Sequence, residues 1–250
     1  IGGTGWRAAT ANLKFEIRNL KYGATSSNYI EGILMLVKDL ESSGAESKLE
    51  KVAGCIAGKF NEDRSKLVFS PNLPDWVDKP IKTDLERELG CEVILENDAA
   101  AEALGEAVYG AGVGYKKFIY FTAGTGIGGS LIQMTDDNLP AGRQGWQIAD
   151  LEPGWTIKIG DKFLEEVAGG KALGDITKVD WVTEAKNLAF GINELIKLHK
   201  PEITILGGSL FKSIDMNYLE SIVNGKIILS KLGQEAGLYG CMELLRQSQG

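Results

Sequence analysis

The chain is expected to be a mixed α/β protein folded as two successive lobes with a central cleft. Three observations predict this. Strand-like and helical hydrophobic periods alternate along the whole length. Each half carries its own glycine turn beside a strand-like run: Gly2-Gly3-Thr4 in the first, and Gly124 to Gly129 and Gly207-Gly208 in the second. Finally, 250 residues at 44% hydrophobic composition reach the size at which one core tends to divide into two.

Residues 6–12 and 14–23 alternate like two antiparallel strands turning at Asn12-Leu13. Ser26-Ser27-Asn28 offers a cap for a helix with Ile30, Ile33, Leu34, Leu36, Val37 and Leu40 at helical spacing, ended by Gly44. Lys51 to Ala57 reads as a buried strand closing at Gly58, Asp84 to Leu89 as a short helix, and Glu92 to Glu96 as a second strand. Ala99 to Tyr109 is an alanine-rich helix suited to close packing on a sheet, and Gly110 to Tyr115 reads as the hinge between the halves. The second half opens with a strand, turn and strand around Gly124 to Gly129, followed by a loop-rich stretch from Thr135 to about Asp161. Then come a helix from Lys162, a long helix from Trp181 to Lys200, a strand Ile203 to Leu206, and a small-residue helical end from Leu232 to Leu245. The expected domains are 1–110, 111–231, and a C-terminal segment 232–250 that packs back on the first lobe.

The net charge of −7 argues against a nucleic-acid partner, since no basic excess exists to neutralise phosphates. Cys55, Cys91 and Cys241 are odd in number, far apart and without a CxxC pair, so they read as reduced cytosolic thiols rather than a disulfide frame or zinc site. His199, the single histidine, stands at a helix end and leaves no place for histidine-dependent chemistry. No run reaches the length of a membrane span and no signal peptide is visible, which implies a cytoplasmic location. A strand normally precedes a turn such as Gly2-Gly3, so the sequence is expected to continue upstream of Ile1.

The segment Phe121-Thr-Ala-Gly-Thr-Gly-Ile-Gly-Gly-Ser130 carries the most chemistry. Glycines at this spacing let backbone N–H groups approach an anion, and Thr125 adds a hydroxyl. Taken alone, it suits a phosphate turn or an ordinary glycine-rich hairpin. Glu96-Asn97-Asp98 stands where a strand ends and a helix begins, the place where α/β folds bind ligands. Asp98 there is either a helix cap or a functional carboxylate, and Asn97 offers the donor and acceptor that a sugar hydroxyl needs. Asn72 lies in Ser70-Pro-Asn-Leu-Pro74, a loop stiffened by two prolines.

Together, in this order, the segments resemble the ROK family of sugar kinases, on the actin-like ATPase (ribonuclease H-like) fold. Gly2-Gly3-Thr4 looks like the first phosphate turn of the family and Ser70-Pro-Asn-Leu-Pro74 like its sugar loop. Glu96-Asn-Asp-Ala-Ala-Ala-Glu102 is similar to its catalytic strand end, Gly124-Thr-Gly-Ile-Gly-Gly129 to its second phosphate turn, and Ile205-Leu-Gly-Gly208 to its adenosine turn. Leu238-Tyr-Gly-Cys-Met242 resembles the closing helix. The resemblance implies ATP-dependent phosphorylation of a hexose or N-acetylhexosamine hydroxyl, with Asp98 as base. It assigns Asn72, Asn97, Gln147, Asp150 and Glu165 to the sugar. Gly2, Gly3, Thr4, Gly124, Thr125, Gly126, Gly128, Gly207 and Gly208 fall to the nucleotide. Mg2+ would bridge the ATP phosphates with mostly water ligands rather than sit in a protein cage, and the resemblance allows a homodimer.

The sequence departs from the family in four places. Gln147 and Asp150, within Gly145-Trp-Gln-Ile-Ala-Asp150, stand where the family carries a glutamate and a histidine that hold the sugar. Trp155-Thr-Ile-Lys-Ile-Gly160 replaces the family's cysteine-rich zinc loop, so no structural zinc is expected. The stretch from Ala172 to Trp181 is shorter than the family's helical insertion, and the aspartate that precedes the first glycine turn lies outside this sequence. A sugar-binding or regulatory member with weakened catalysis is therefore the competing expectation.

Overall fold

The computed structural model describes residues 1–12, 16–42, 49–135 and 145–248. The chain opens with an antiparallel pair, β1 (Gly5–Ala11) and β2 (Ile17–Ala24), then α1 (Tyr29–Glu41). There follow β3 (Lys51–Ile56), β4 (Lys59–Phe60), β5 (Leu67–Phe69), α2 (Ile81–Leu89), β6 (Glu92–Asn97) and α3 (Asp98–Tyr109). Next are β7 (Lys117–Ala123), β8 (Ile127–Thr135), β9 (Gly145–Asp150), α4 (Pro153–Thr156), β10 (Lys158–Ile159), β11 (Lys162–Phe163), α5 (Leu164–Ala168) and α6 (Gly170–Leu173). The chain closes with α7 (Trp181–His199), β12 (Ile203–Gly207), α8 (Met216–Ile222), β13 (Ile227–Leu229) and α9 (Ala236–Gln247). Two units result: residues 1–101 with 237–250, and residues 102–236, the first division falling inside α3.

In the first unit, β3 and β6 pair in parallel with Ile56 opposite Asn97. Ile1 adds to the same edge: its nitrogen donates to the Cys55 carbonyl at 2.5 Å and its carbonyl accepts from the Ala57 N–H at 2.9 Å. The core gathers Trp6, Ile33, Leu36, Ile56, Leu67, Leu73, Trp76, Ile81, Val93 and Leu95. Asn28 caps α1, its Oδ1 accepting from the Glu31 N–H at 3.1 Å, as the polar run before that helix predicts. Helix α2 begins three residues before Asp84, directly behind Pro80, because proline needs no hydrogen-bonded N–H at a helix start. Cys55 and Cys241 are far apart in sequence yet meet here: Cys241 donates to Cys55, which lowers the Cys55 thiol's pKa and raises that of Cys241. Leu13, Gly44 and residues 136–144 of the expected turns and loop lie outside the described residues.

The second unit is a five-stranded sheet in the order β13-β12-β7-β8-β9. β13, β12 and β7 run parallel, and β8 and β9 run antiparallel to their neighbours. Alternation along β7 sends Ile119 and Phe121 to a core with Leu164, Leu188, Ile192, Leu206 and Phe211. Phe118 and Tyr120 go to the other face, with Ala103, Ala107, Ile132, Ile203 and Ile205. The loop-rich reading of Thr135 to Asp161 is corrected. Residues 145–150 form a strand on the sheet edge, Gln147 opposite Gln133 and Asp150 opposite Ser130, and short elements fill 153–159. The helix expected from Lys162 is two short helices broken at Gly169. Among the described residues no helix is long and apolar enough to cross a membrane.

Glu184 is 2% exposed in the first turn of α7, with its Oε1 unpartnered. Desolvation pushes its pKa up to about 7, partly offset by a hydrogen bond from Asn187. A carboxyl raised on folding contributes stability below its unfolded value and loses it as pH rises through about 7. Glu184→Gln is expected to leave the urea midpoint unchanged at pH 4 and to stabilise the protein at pH 8 by on the order of 2 kcal/mol. Equal midpoints at pH 8 would show that the carboxyl reaches water.

Candidate functional site

In the first unit three sequence-predicted segments share the edge where β3 and β6 end. Gly2, Gly3 and Thr4 follow Ile1 directly. The turn is tied by the Gly2 N–H to the Gly5 carbonyl at 2.9 Å and by the Thr25 hydroxyl to the Gly2 carbonyl at 2.8 Å. Gly3 passes so close to the Ser70–Pro74 loop that a Cβ there would lie 2.5 Å from Asn72 Cβ. That explains a glycine at this position better than any turn preference. The loop itself is pinned by Ser70, whose hydroxyl donates to the Ala57 carbonyl at 2.8 Å and accepts the Leu73 N–H at 3.2 Å.

Asn97, not Asp98, caps α3. Its Oδ1 accepts from the Ala100 N–H at 3.0 Å while its Nδ2 donates to the Gly58 carbonyl at 2.8 Å. An amide has two donor hydrogens and two acceptor lone pairs, so one of each remains for a ligand. Asp98 therefore opens the helix without being its cap, and its Oδ1 accepts the Ala99 N–H at 2.9 Å. Its carboxylate is half-buried in the first turn of a twelve-residue helix, where the helix dipole favours negative charge.

In the second unit the glycine turns again share one edge, because β7 and β12 are adjacent parallel strands with Thr122 opposite Gly207. Gly124, Thr125 and Gly126 join β7 to β8. The turn's carbonyls face inward: Gly124 accepts from Gly170 N–H and Thr125 from Lys171 N–H, each at 2.9 Å, and Gly126 accepts from Gly124 N–H at 2.9 Å. Among the described residues the N–H groups of Thr125 and Gly126 and the Thr125 hydroxyl make no hydrogen bond, so three donors are left for an anion. Gly128 lies one residue into β8, opposite Thr122. Gly208 has φ +91° and a Cβ there would collide with the Ala123 carbonyl, so only glycine fits. Gly207 lies against the Tyr120 hydroxyl, which burial, reinforced by Glu102, raises well above the usual phenol range.

Glu165 braces the Gly124 to Gly129 turn. Its Oε2 accepts the Ile127 N–H at 2.8 Å, and it lies so close to Gly126 that a Cβ there would come within 2.7 Å of the same oxygen. The sequence did not show this contact, because the partner is a backbone group 38 residues away. The carbonyl of Gly58 and the amides of Gly170 and Lys171 were likewise missed as builders of these edges. Gln147 is exposed and Asp150 half-buried, and an extended strand sends residues three apart to opposite faces. The structure thus does not bring these two together. Among the described residues no cluster of three or more His, Cys, Asp or Glu could hold a metal ion.

The sequence profile of the ROK family matches residues 1–147. The chain belongs to the ROK family. It is 47% identical over 252 residues to the glucokinase of Halalkalibacterium halodurans, covering 78% of this chain and 76% of that protein. It is also 36% identical over 230 residues to the xylose repressor of Bacillus spizizenii, covering 76% of this chain and 59% of the repressor. A ROK family glucokinase from Streptomyces griseus, solved in complex with glucose and AMPPNP, matches the fold with a TM-score of 0.81 at 25% identity, over 99% of this chain and 97% of that one. The ROK chain has the actin-like ATPase fold, as its glycine turns and strand ends predict.

Glu165→Ala removes a charge-assisted hydrogen bond from the Ile127 N–H, an interaction worth about 1.5–3 kcal/mol. The expected outcome is nucleotide affinity at least about tenfold weaker by calorimetry. An unchanged nucleotide affinity with sugar affinity lost would make Glu165 a sugar ligand and not a brace.

Proposed function

We propose that this ROK protein transfers the γ-phosphoryl group of ATP to a hydroxyl of a hexose or N-acetylhexosamine. One observation carries the reading. Asn72, the Gly2-Gly3-Thr4 turn, Asn97 and Asp98 converge on one edge of the first unit, and Asn97 takes the capping role that Asp98 would otherwise fill. Asn72 and Asn97 hold the sugar hydroxyls. Asp98 orients the acceptor hydroxyl and takes its proton as the new O–P bond forms, while ADP leaves with the electrons of the broken bond. The Thr125 and Gly126 N–H groups and the Thr125 hydroxyl hold phosphate oxygens, with Gly128 keeping the strand behind them free of a side chain. Gly207 and Gly208 admit the adenosine. The glucokinase relative and the AMPPNP and glucose in the Streptomyces griseus structure support this choice of donor and acceptor. Mg2+ bound with ATP would shield phosphate charge, held mostly by water and the phosphates themselves.

A second reading, a sugar-binding regulator with weakened catalysis, is favoured by Gln147 and Asp150, which replace a glutamate and a histidine and point to opposite faces of β9. The repressor relative points the same way. A coupled ADP-release assay over a panel of hexoses and N-acetylhexosamines, with ATP or polyphosphate as donor, separates the two. The kinase reading expects turnover on at least one sugar, whereas silence with sugar and nucleotide binding retained supports the regulator.

Asp98→Asn is expected to lower kcat by about 10²–10⁴ while calorimetry finds nucleotide affinity unchanged. Wild-type turnover in that variant removes Asp98 from the role of base. Gln147→Glu should alter the order of sugar preference; an identical profile means that Gln147 does not touch the substrate.

A further inference from the structure

The loop between β4 and β5 is built around Arg64. Asn61 Oδ1 accepts the N–H groups of Ser65 and Lys66 at 3.0 and 3.1 Å, and Asn61 Nδ2 donates to Ser65 Oγ at 2.9 Å. Asp63 Oδ1 takes the Ser65 N–H at 3.0 Å, and the Arg64 N–H donates to the Asn61 carbonyl at 3.1 Å. Held this way, Arg64 has φ +56°, a left-handed conformation that costs a side-chain-bearing residue about 1–2 kcal/mol. Such strain persists only where surrounding bonds impose it. Its effect is to deliver the guanidinium to Glu96, at 3.1 Å from Oε1.

Glu96 is only 13% exposed, and the same Oε1 accepts the Asn97 N–H at 2.7 Å. The ion pair therefore grips the peptide that leads into Asp98. Glu96 and Asp98 are also like charges two residues apart, both felt by the Cys55 thiol of β3. The Cys241 thiol of α9 faces the same edge, where it too feels Glu96. Like charges this close in sequence, with little solvent around Glu96, oppose each other's ionisation. A cation on Glu96 relieves that opposition.

We propose that Arg64 is a positioning residue for phosphoryl transfer: it neutralises Glu96, fixes the Glu96–Asn97 peptide, and keeps Asp98 ionised and aimed. The inference rests on the kinase reading for its catalytic consequence, but its electrostatic content stands apart from turnover. Nothing in the sequence marks Arg64, which lies in a polar loop without a motif.

The test compares wild type with R64Q, R64K and the double variant R64Q/E96Q in the ADP-release assay, beside a carbon-13 titration of the Asp98 carboxyl. R64Q should lower kcat about tenfold or more with KM for ATP unchanged, and move the acidic limb of the pH profile to higher pH. R64K should restore most of the rate, and E96Q in the R64Q background should restore it too, because the uncompensated charge is gone. A loss that neither R64K nor E96Q relieves, accompanied by a lower melting temperature, would reduce Arg64 to a loop-folding residue and overturn the proposal. If the wild type turns over no sugar, the kinase reading fails by itself. The Asp98 titration then decides: a move to higher pH in R64Q upholds the electrostatic role, and an unmoved titration overturns it.

Discussion

The edge of the first unit where β3 and β6 end depends on one side chain, the amide of Asn97. Two backbone groups would be unsatisfied without it: the Gly58 carbonyl, where β3 turns away, and the Ala100 N–H in the first turn of α3. A single carboxamide satisfies both, because it alone among small side chains carries donor and acceptor on one rigid plane. The parallel register makes this bridge: Ile56 faces Asn97, so Gly58 lies within reach of the residue that ends the neighbouring strand. Ile1 extends the same register by one more chain, which brings Gly2 and Gly3 alongside. Geometry at Asp98 thus begins with strand pairing.

A complementary logic governs the second unit's turn. A loop that is to bind an anion must point its N–H groups outward, which requires its carbonyls to be satisfied from inside. Gly170 and Lys171 do that for Gly124 and Thr125, and Glu165 takes the Ile127 N–H that the hairpin would otherwise leave pointing into the core side. The outward donor groups stay uncompensated, which is the arrangement a phosphate needs.

How much of this was legible follows from the range of each interaction. The cap at Asn28 and the strand end at Gly58 are local, and the residue types announce them. The Gly124 to Gly129 and Gly207-Gly208 turns were readable because each follows an unmistakable apolar strand. Strand β9 was not, since Gly145-Trp-Gln-Ile-Ala-Asp150 lacks a β-branched run and owes its conformation to pairing with β8. Strands β4 and β5 are two and three residues long, too short for any period to show. Asp98 as cap was a reasonable local reading, overturned because the residue before it has a long-range partner as well. The Cys55–Cys241 contact and the Glu165 brace were invisible for the same reason: both join segments that the sequence keeps far apart.

On the kinase reading, selectivity follows from the register of β9. With Gln147 and Asp150 on opposite faces, a ligand held by one is not also held by the other from within the strand. On the kinase reading, sugar recognition then falls chiefly on Asn72 and Asn97, both neutral, and Asn97 has spent half of its hydrogen-bonding capacity on structure. Neutral hydrogen bonds contribute about half as much as charge-assisted ones, and an amide that can both donate and accept tolerates either orientation of a hydroxyl. A site built this way discriminates weakly between epimers that a carboxylate–histidine pair would separate. On the kinase reading the departures at 147 and 150 bear on breadth of substrate: their link to the Thr125 turn runs through β8, where Gln147 pairs with Gln133 and Asp150 with Ser130, and neither takes part in the Asn97 bridge beside Asp98.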